Sequence, residues 1–264
     1  MVLMELFFLG CGGGRVVLDT QTMPTGGFRL TDGKLVMHCD PGPGAFLKTF
    51  SNGLSFKELN TVFISHCHLD HVSDAKIIIE AMTLDHWHKK FGTLLAARSI
   101  IEGVGDFEKE IPEYFKSLLL NCKTMAPGEK RQLFEGATLA ATACDHEDPS
   151  SIGFIYRSVG GKAVAYSGDT QVFAGLWQQY EVEGGIDAFV INCLRPASDR
   201  FKYHLCLNEV IAGVKSMKNR PKLIVFSHFG EKFLKAGIEK EIARFEKETG
   251  VKAVAAREGL TVKI

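Results

Sequence analysis

Three histidines and one aspartate, His66, His68, Asp70 and His71, fall within six positions in the order His-x-His-x-Asp-His. Imidazole nitrogens and a carboxylate are borderline donors suited to zinc, iron or manganese. Four such groups so close in sequence can surround one or two metal ions. They cannot do so from a strand, whose side chains alternate between faces, but a loop can fold them to one point. The residues just before them, Thr61-Val62-Phe63-Ile64, are β-favouring or apolar and read as a short buried strand, so the loop leaves a strand end. A merely solvated His-rich loop is the plain alternative. It fits less well, because the chain has only 9 His in 264 residues and a third of them are packed here.

The elements that must hold this loop follow from local pattern. Residues 2–9 read as a first strand running into Gly10-Cys11-Gly12-Gly13-Gly14, which permits backbone geometry closed to other residues and close approach to a ligand. It is not a phosphate loop, since the Lys-Ser/Thr of that motif is absent. Residues 16–18 and 35–39 look like the next strands, with Thr31-Asp32-Gly33-Lys34 turning between them. Asp40-Pro41-Gly42-Pro43-Gly44 is a tight turn, and 56–59 suggests a short helix. Beyond the metal loop, 74–83 reads as a helix capped by Ser73 or Asp74. His86 and His88 follow it and read as surface or pocket-rim residues. Residues 94–97 are a strand, and 112–120 a helix opened by its proline. Strands are expected at 137–144, 153–157 and 162–167, then a helix at 171–180 and a strand at 187–193.

From Leu207 apolar residues recur at helical spacing, with Cys206 where a Ser or Thr would form a capping box with Glu209. Residues 222–227 make the last strong strand, 231–249 a charged amphipathic helix and 251–264 closing strands. Val62-Phe63-Ile64-Ser65-His66 and Ile224-Val225-Phe226-Ser227-His228 echo each other. Both are buried strands ending in Ser-His, as though two half-domains face each other.

Composition sets the outer bounds. The length suffices for one large two-sheet domain or two small ones, and 45% hydrophobic with 23% charged residues is ordinary for a globular protein. A formal net charge of zero gives no global sign of a nucleic-acid or membrane partner. From Gly213 onward 12 Lys/Arg face 6 Asp/Glu, a bias that a solvated helix face explains. The 7 cysteines stand singly, with no Cys-x-x-Cys pair and no signal-peptide pattern, so a reducing, cytoplasmic setting is expected. No apolar run approaches the length of a membrane span.

The His-x-His-x-Asp-His loop resembles the signature of the metallo-β-lactamase superfamily. The resemblance implies an α/β fold, a four-layer αββα sandwich, formed as a single domain over residues 1–264. It also implies further ligands at later strand ends. The chain supplies candidates in order: His146 after 137–144, Asp169 in Ser167-Gly168-Asp169-Thr170, and His228 after 222–227. Carried over position by position, His66, His68 and His146 would bind a first metal, and Asp70, His71 and His228 a second. Asp169 would bridge them. Asp40 would brace the metal loop without touching metal. The implied cofactors are two divalent ions, zinc first, with manganese and iron suited to the same donors. Such a pair lowers the pKa of a shared water and clamps attacking and leaving oxygens. A bridging hydroxide would thus be the nucleophile, with Asp70 in the catalytic set. Cys67, between two ligands, would point away and pack.

Two further stretches narrow the resemblance. Leu9-Gly10-Cys11-Gly12 is similar to the Leu-Gly-x-Gly opening of the branch that includes ribonuclease Z and cyclic-phosphate phosphodiesterases. Tyr203-His204-Leu205-Cys206-Leu207-Asn208-Glu209 resembles its helix-opening His motif, with Cys206 replacing Ser/Thr. His204 would then be catalytic, stabilising phosphoryl charge or protonating the leaving oxygen. Two departures stand out. Only residues 147–168 separate His146 from Asp169, which leaves no room for a tRNA-gripping arm, and Ser73-Asp74 stands where the family often has Gly. The implied function is a dinuclear phosphodiesterase acting on a small-molecule or oligonucleotide phosphodiester, with no membrane partner; a homodimer is compatible with it. A hydrolase of lactone, thioester or amide bonds is the alternative. A mononuclear iron oxygenase is a more distant one, since one iron needs only two His and an Asp.

Overall fold

The computed structural model describes residues 4–86, 89–197 and 199–264. The first half of the chain forms β1 (Glu5–Phe8), β2 (Phe28–Asp32), β3 (Leu35–Cys39), β4 (Thr61–Ile64), β5 (Thr93–Ala96) and β6 (Asn121–Thr124). The second forms β7 (Lys130–Gln132), β8 (Thr138–Ala143), β9 (Ile152–Arg157), β10 (Ala163–Tyr166), β11 (Ala188–Asn192), β12 (Leu223–Ser227) and β13 (Lys252–Ala255), and β14 (Thr261–Lys263) returns to the first. Helices are α1 (Arg15–Thr20), α2 (Ala45–Ser51), α3 (Leu69–Val72), α4 (Ala75–Thr83), α5 (Arg98–Ile101), α6 (Glu113–Leu118), α7 (Leu207–Ser216), α8 (Glu231–Ala236) and α9 (Ile238–Thr249).

Among the described residues the strands make two sheets, ordered β14-β1-β2-β3-β4-β5-β6 and β13-β12-β11-β10-β9-β8-β7. Strands β3 to β6 are parallel in the first sheet, and β10 to β13 in the second. Parallel neighbours need crossovers and buried faces. That is why β4 and β11 are buried at every residue and read as unbroken apolar runs. The edge strands β6 and β7 are polar and part-exposed. The inner faces meet through aromatic rings. Phe63 of β4 lies edge-on to Phe154 of β9 with centroids 4.8 Å apart, and Phe28 of β2 meets Tyr166 of β10 at 5.2 Å. Helices α2, α4 and α6 pack together beside the first sheet, and α7 to α9 beside the second. The architecture is the expected α/β four-layer αββα sandwich. Strands β3, β4, β8, β10, β11 and β12 all run toward the same edge, so the loops after them converge there.

Several local expectations fail for identifiable reasons. Residues 16–18 lie in helix α1, not a strand; only Val17 of that helix is buried, too little for the β-branched residues to dictate pairing. The true partner of β3 is Phe28–Asp32. Residues 56–59 are not helical. Phe56 instead stacks on Phe46 at 5.3 Å, and Arg29 donates to the Ser55 carbonyl at 2.9 Å. Residues 171–180 form turns with a short 3₁₀ segment at Gln178–Tyr180, because Gln171 is used in tertiary bonds. Its N–H donates to the Asp145 carbonyl at 3.0 Å and its amide oxygen accepts from the Tyr203 N–H at 2.9 Å. The single helix expected at 231–249 is two, broken at Gly237 with φ 91°. Asp74 does not cap α4 with its side chain; its carboxylate accepts from Phe46 N–H at 2.9 Å.

Because Phe154 is fully buried between the sheets, Phe154→Ala should cost about 3–5 kcal/mol, read as a lower urea midpoint at unchanged slope. A loss under about 1 kcal/mol would show that the sheets do not depend on this contact.

Candidate metal centre

The converging loops bring six of the nine histidines to one place, together with Asp70 and Asp169. His66 follows β4, His68 precedes α3, and Asp70 and His71 lie in it. His146 follows β8, Asp169 follows β10, His204 follows β11 and His228 follows β12. The potential donor atoms of His66, His68 and His146 lie within 4.8 Å of one another, as do those of Asp70, His71 and His228. His68 Nδ1 faces His146 Nε2 at 3.1 Å, and His71 Nε2 faces His228 Nε2 at 3.1 Å. Asp70 Oδ2 is 3.2 Å from His228 Nε2.

Asp169 Oδ2 sits between the two sets, 3.9 Å from His66 Nε2, 3.4 Å from His71 Nε2 and 3.1 Å from His228 Nε2. Donors around a tetrahedral ion at about 2.0–2.1 Å are about 3.3–3.4 Å apart, so these spacings suit metal ligation. His66 Nε2 is buried with no hydrogen-bond partner. Such an orphan is costly unless something takes its lone pair, which a metal ion would do. The donor set fits a metal pair. His204 also reaches this group, its Nδ1 lying 3.6 Å from Asp169 Oδ2.

The electrostatics agree with ligation. Burial lowers His66 well below an ordinary histidine, with His71 and His146 adding to it. Burial also lowers His146, against Asp169, and takes His204 down to about 3 against the same carboxylate. Burial would raise Asp70 and Asp169, but the adjoining histidines hold both well below the usual carboxylate range. Neutral imidazoles and ionised carboxylates are the forms that bind metal. His71 differs: burial would lower it, but Asp169, Asp70 and Asp40 hold it well above the ordinary value. It must release a proton when a metal binds.

The surrounding residues orient the rings. Asp40 takes the brace position: its carboxylate accepts from the Ser65 N–H at 2.7 Å and the Ser65 hydroxyl at 2.5 Å. It also accepts from Tyr166 Oη at 2.6 Å and pairs with His71 Nδ1 at 2.8 Å. His66 Nδ1 meets Ser65 Oγ at 2.9 Å, and His146 Nδ1 meets the Tyr203 carbonyl at 3.0 Å. The outward nitrogens of His66, His71 and His146 are thus engaged and their inward ones left for metal, whereas the outward Nδ1 of His228 is buried with no hydrogen-bond partner. The glycine run lies beneath the second set. Gly14 N–H donates to Asp70 Oδ2 at 3.0 Å, and a Cβ on Gly13 would come within 2.3 Å of the His228 ring.

Several members of this support are not evident from sequence. Asp148 is fully buried. Its carboxylate accepts from the Cys67 N–H at 3.2 Å, the Ser150 N–H at 2.8 Å, the Ser150 hydroxyl at 2.7 Å and the Ser99 hydroxyl. It therefore joins the loop carrying His66 and His68 to the loop carrying His146. Asn192 Nδ2 donates to Asp169 Oδ1 at 2.7 Å, and Glu147 Oε2 lies 3.5 Å from His68 Nε2. Position two residues after His146 was the only sequence signal for Asp148. Cys67 packs, with its thiol pushed up to about 12 by burial. His86 stays outside the centre, stacked on Phe91 at 3.7 Å, and His88 lies outside the described residues. His38 is a buried structural histidine paired with the Gly26 carbonyl at 2.9 Å.

Comparison with known proteins gives a consistent picture. A family model described as "Beta-lactamase superfamily domain" matches residues 36–229. The chain is 37% identical over 260 residues to the uncharacterized protein MJ1374 of Methanocaldococcus jannaschii, covering 98% of this chain and 95% of that one. Among solved structures it resembles the metallo-β-lactamase fold protein YhfI of Bacillus subtilis, with TM-score 0.76, 16% identity and full coverage of both chains. It also resembles the short form of human tRNase Z, with TM-score 0.66, 15% identity and 98% coverage of both. No helix among the described residues is long and apolar enough to cross a membrane.

Asp148→Ala should weaken metal binding at the set containing His66, His68 and His146 about 10- to 100-fold and spare the other set, as read by chelator competition with cobalt absorption. Equal weakening at both sets would mean that Asp148 only supports the fold. His86→Ala should leave metal content unchanged.

Proposed function

The chain belongs to the metallo-β-lactamase superfamily, and on that footing we propose that it is a dinuclear metal-dependent hydrolase, a phosphodiesterase of small or single-stranded phosphodiesters. The observation that carries this is the position of Asp169 Oδ2, within reach of donor atoms from both sets. His66, His68 and His146 would hold one ion, Asp70, His71 and His228 the other, and Asp169 both, with zinc the ion these donors favour first. Bound, the pair supplies Lewis acidity toward a phosphoryl oxygen and an activated water.

The chain's own residues do the rest. Asp40 and Asp148 fix the metal loop, Gly14 N–H holds Asp70, and Asn192 holds Asp169. His204 stands beside the bridging carboxylate, where an N–H can meet a phosphoryl oxygen or the leaving group. Its burial opposes protonation in the free protein, and an arriving phosphoryl anion opposes that effect. The dependence on leaving group decides between proton transfer and hydrogen bonding. Residues 147–168 hold β9, β10 and their connections with no protruding arm. The resemblance to a tRNase Z supports the phosphodiester class, while the missing arm points to substrates smaller than folded tRNA. We take residues 1–264 as one domain, since both sets draw on both sheets, and the free cysteines favour a reducing, cytoplasmic setting.

The first test is turnover of bis-p-nitrophenyl phosphate beside a thioester and a lactone, with zinc, manganese or iron. Thioester or lactone turnover without phosphodiester cleavage would replace the proposal with its alternative. Asp169→Ala should lose at least one metal and nearly all hydrolysis; a variant keeping both metals and full activity would overturn the assignment. His204→Ala should keep its metals and lose about 10²–10⁴-fold in kcat, more for leaving groups of high pKa than for p-nitrophenol. Equal losses would leave His204 a hydrogen-bond donor without proton transfer.

A further inference from the structure

The loop between β11 and α7 places an aromatic ring at the outer side of the centre. The rings of His228 and His204 are nearly parallel, 19° apart in plane with centroids at 5.6 Å. The Phe201 ring continues the series, 25° from His204 at 5.9 Å. The three rings thus lead from the candidate metal ligands outward. Phe201 is 50% exposed. Exposed apolar residues are common and signify little alone, but this one is held in place. The Arg195 guanidinium lies over one face of the ring, 4.5 Å from its centroid, which leaves only the opposite face to a guest, and Arg195 is itself tied to Asp199 at 3.3 Å. The Phe201 carbonyl accepts from the His204 N–H at 3.1 Å. The ring therefore keeps its orientation before any ligand arrives, which reduces the ordering cost of binding.

Resting on the phosphodiester reading, we propose that Phe201 is a stacking platform for a nucleobase of the substrate, so that the substrate class is a nucleotide phosphodiester. A phosphate at the metal centre, beside His204, would leave the attached nucleoside close to the next ring out. Existing ring planes there already favour a parallel aromatic guest. Stacking uses the π-face that every base has, so the platform selects nucleotides over base-free phosphodiesters without selecting one base. Lys202, its neighbour, carries its ammonium 4.3 Å from the Tyr203 ring and adds a cation on the same loop.

The test compares AMP with ribose 5-phosphate, which share the phosphate and sugar but not the base. Dissociation constants are measured calorimetrically on the metal-loaded protein, its Phe201→Ala variant and its Phe201→Trp variant. The wild type should bind AMP roughly 5- to 100-fold more tightly than ribose 5-phosphate, the scale of one base–aromatic stack. Phe201→Ala should erase most of that preference while leaving ribose 5-phosphate affinity and metal content unchanged, and Phe201→Trp should keep it. Equal affinity for the two ligands in the wild type, or equal losses for both in Phe201→Ala, would overturn the platform alone. Binding of neither ligand by a wild type that turns over bis-p-nitrophenyl phosphate would overturn the platform alone; without that turnover the phosphodiester reading falls and the platform with it.

Discussion

One carboxylate oxygen, Asp169 Oδ2, has four imidazoles around it: His66 at 3.9 Å, His71 at 3.4 Å, His204 at 3.6 Å and His228 at 3.1 Å. These neighbours come from both sheets. A buried anion is tolerable only where charge and hydrogen bonds compensate it, and here His71 and Asn192 do so in part. The imidazole nitrogens that face one another at 3.1 Å can share a hydrogen bond in the free protein and turn their lone pairs to one ion when a metal binds. Metal binding and the closing of the two sheets are therefore linked: whatever binds the closed centre stabilises the closed fold.

Two buried carboxylates hold the metal loop on either side of His66. Asp40, at the end of β3, takes Ser65 and His71 from the first sheet and Tyr166 from the second. Asp148, from the loop after β8, takes the backbone of Cys67. Each joins the two halves of the sandwich, so that the spacing of the ligands is set by the sheets and not by the loop. Ligands fixed in this way need little reorganisation to receive an ion or a substrate.

Backbone strain concentrates in the same region. Asp40 at φ 51°, His228 at φ 63° and Tyr203 at φ 67° occupy the left-handed region, which costs a non-glycine residue of order 1–3 kcal/mol. Asp and His accept it more readily than a bulky Tyr. In Tyr203 the turn directs the carbonyl to His146 Nδ1 and places His204 beside Asp169. In His228 it turns the chain sharply after β12, over Gly13, where no side chain would fit.

The candidate ligands were legible in the sequence because their chemistry is local: His66 to His71 form a recognisable pattern, and His146, Asp169 and His228 each follow a strand readable from its apolar run. The sandwich followed from the same strands. Asp148 was not legible, since a single aspartate in a loop looks like any other until its partners, 49 and 81 residues away at Ser99 and Cys67, are brought to it. The misread segments share that cause. Residues 16–18 and 171–180 had strand and helix propensity, but propensity is weak beside the tertiary bonds that use Gln171 and the burial that Val16 lacks. Sequence by itself determined which side chains are candidate metal ligands and the strand ends that carry them. Tertiary structure alone decided that they meet around one oxygen, that Asp40 and Asp148 hold them, and that Phe201 lies beside them, because those distances depend on how two sheets pack and no local pattern encodes them.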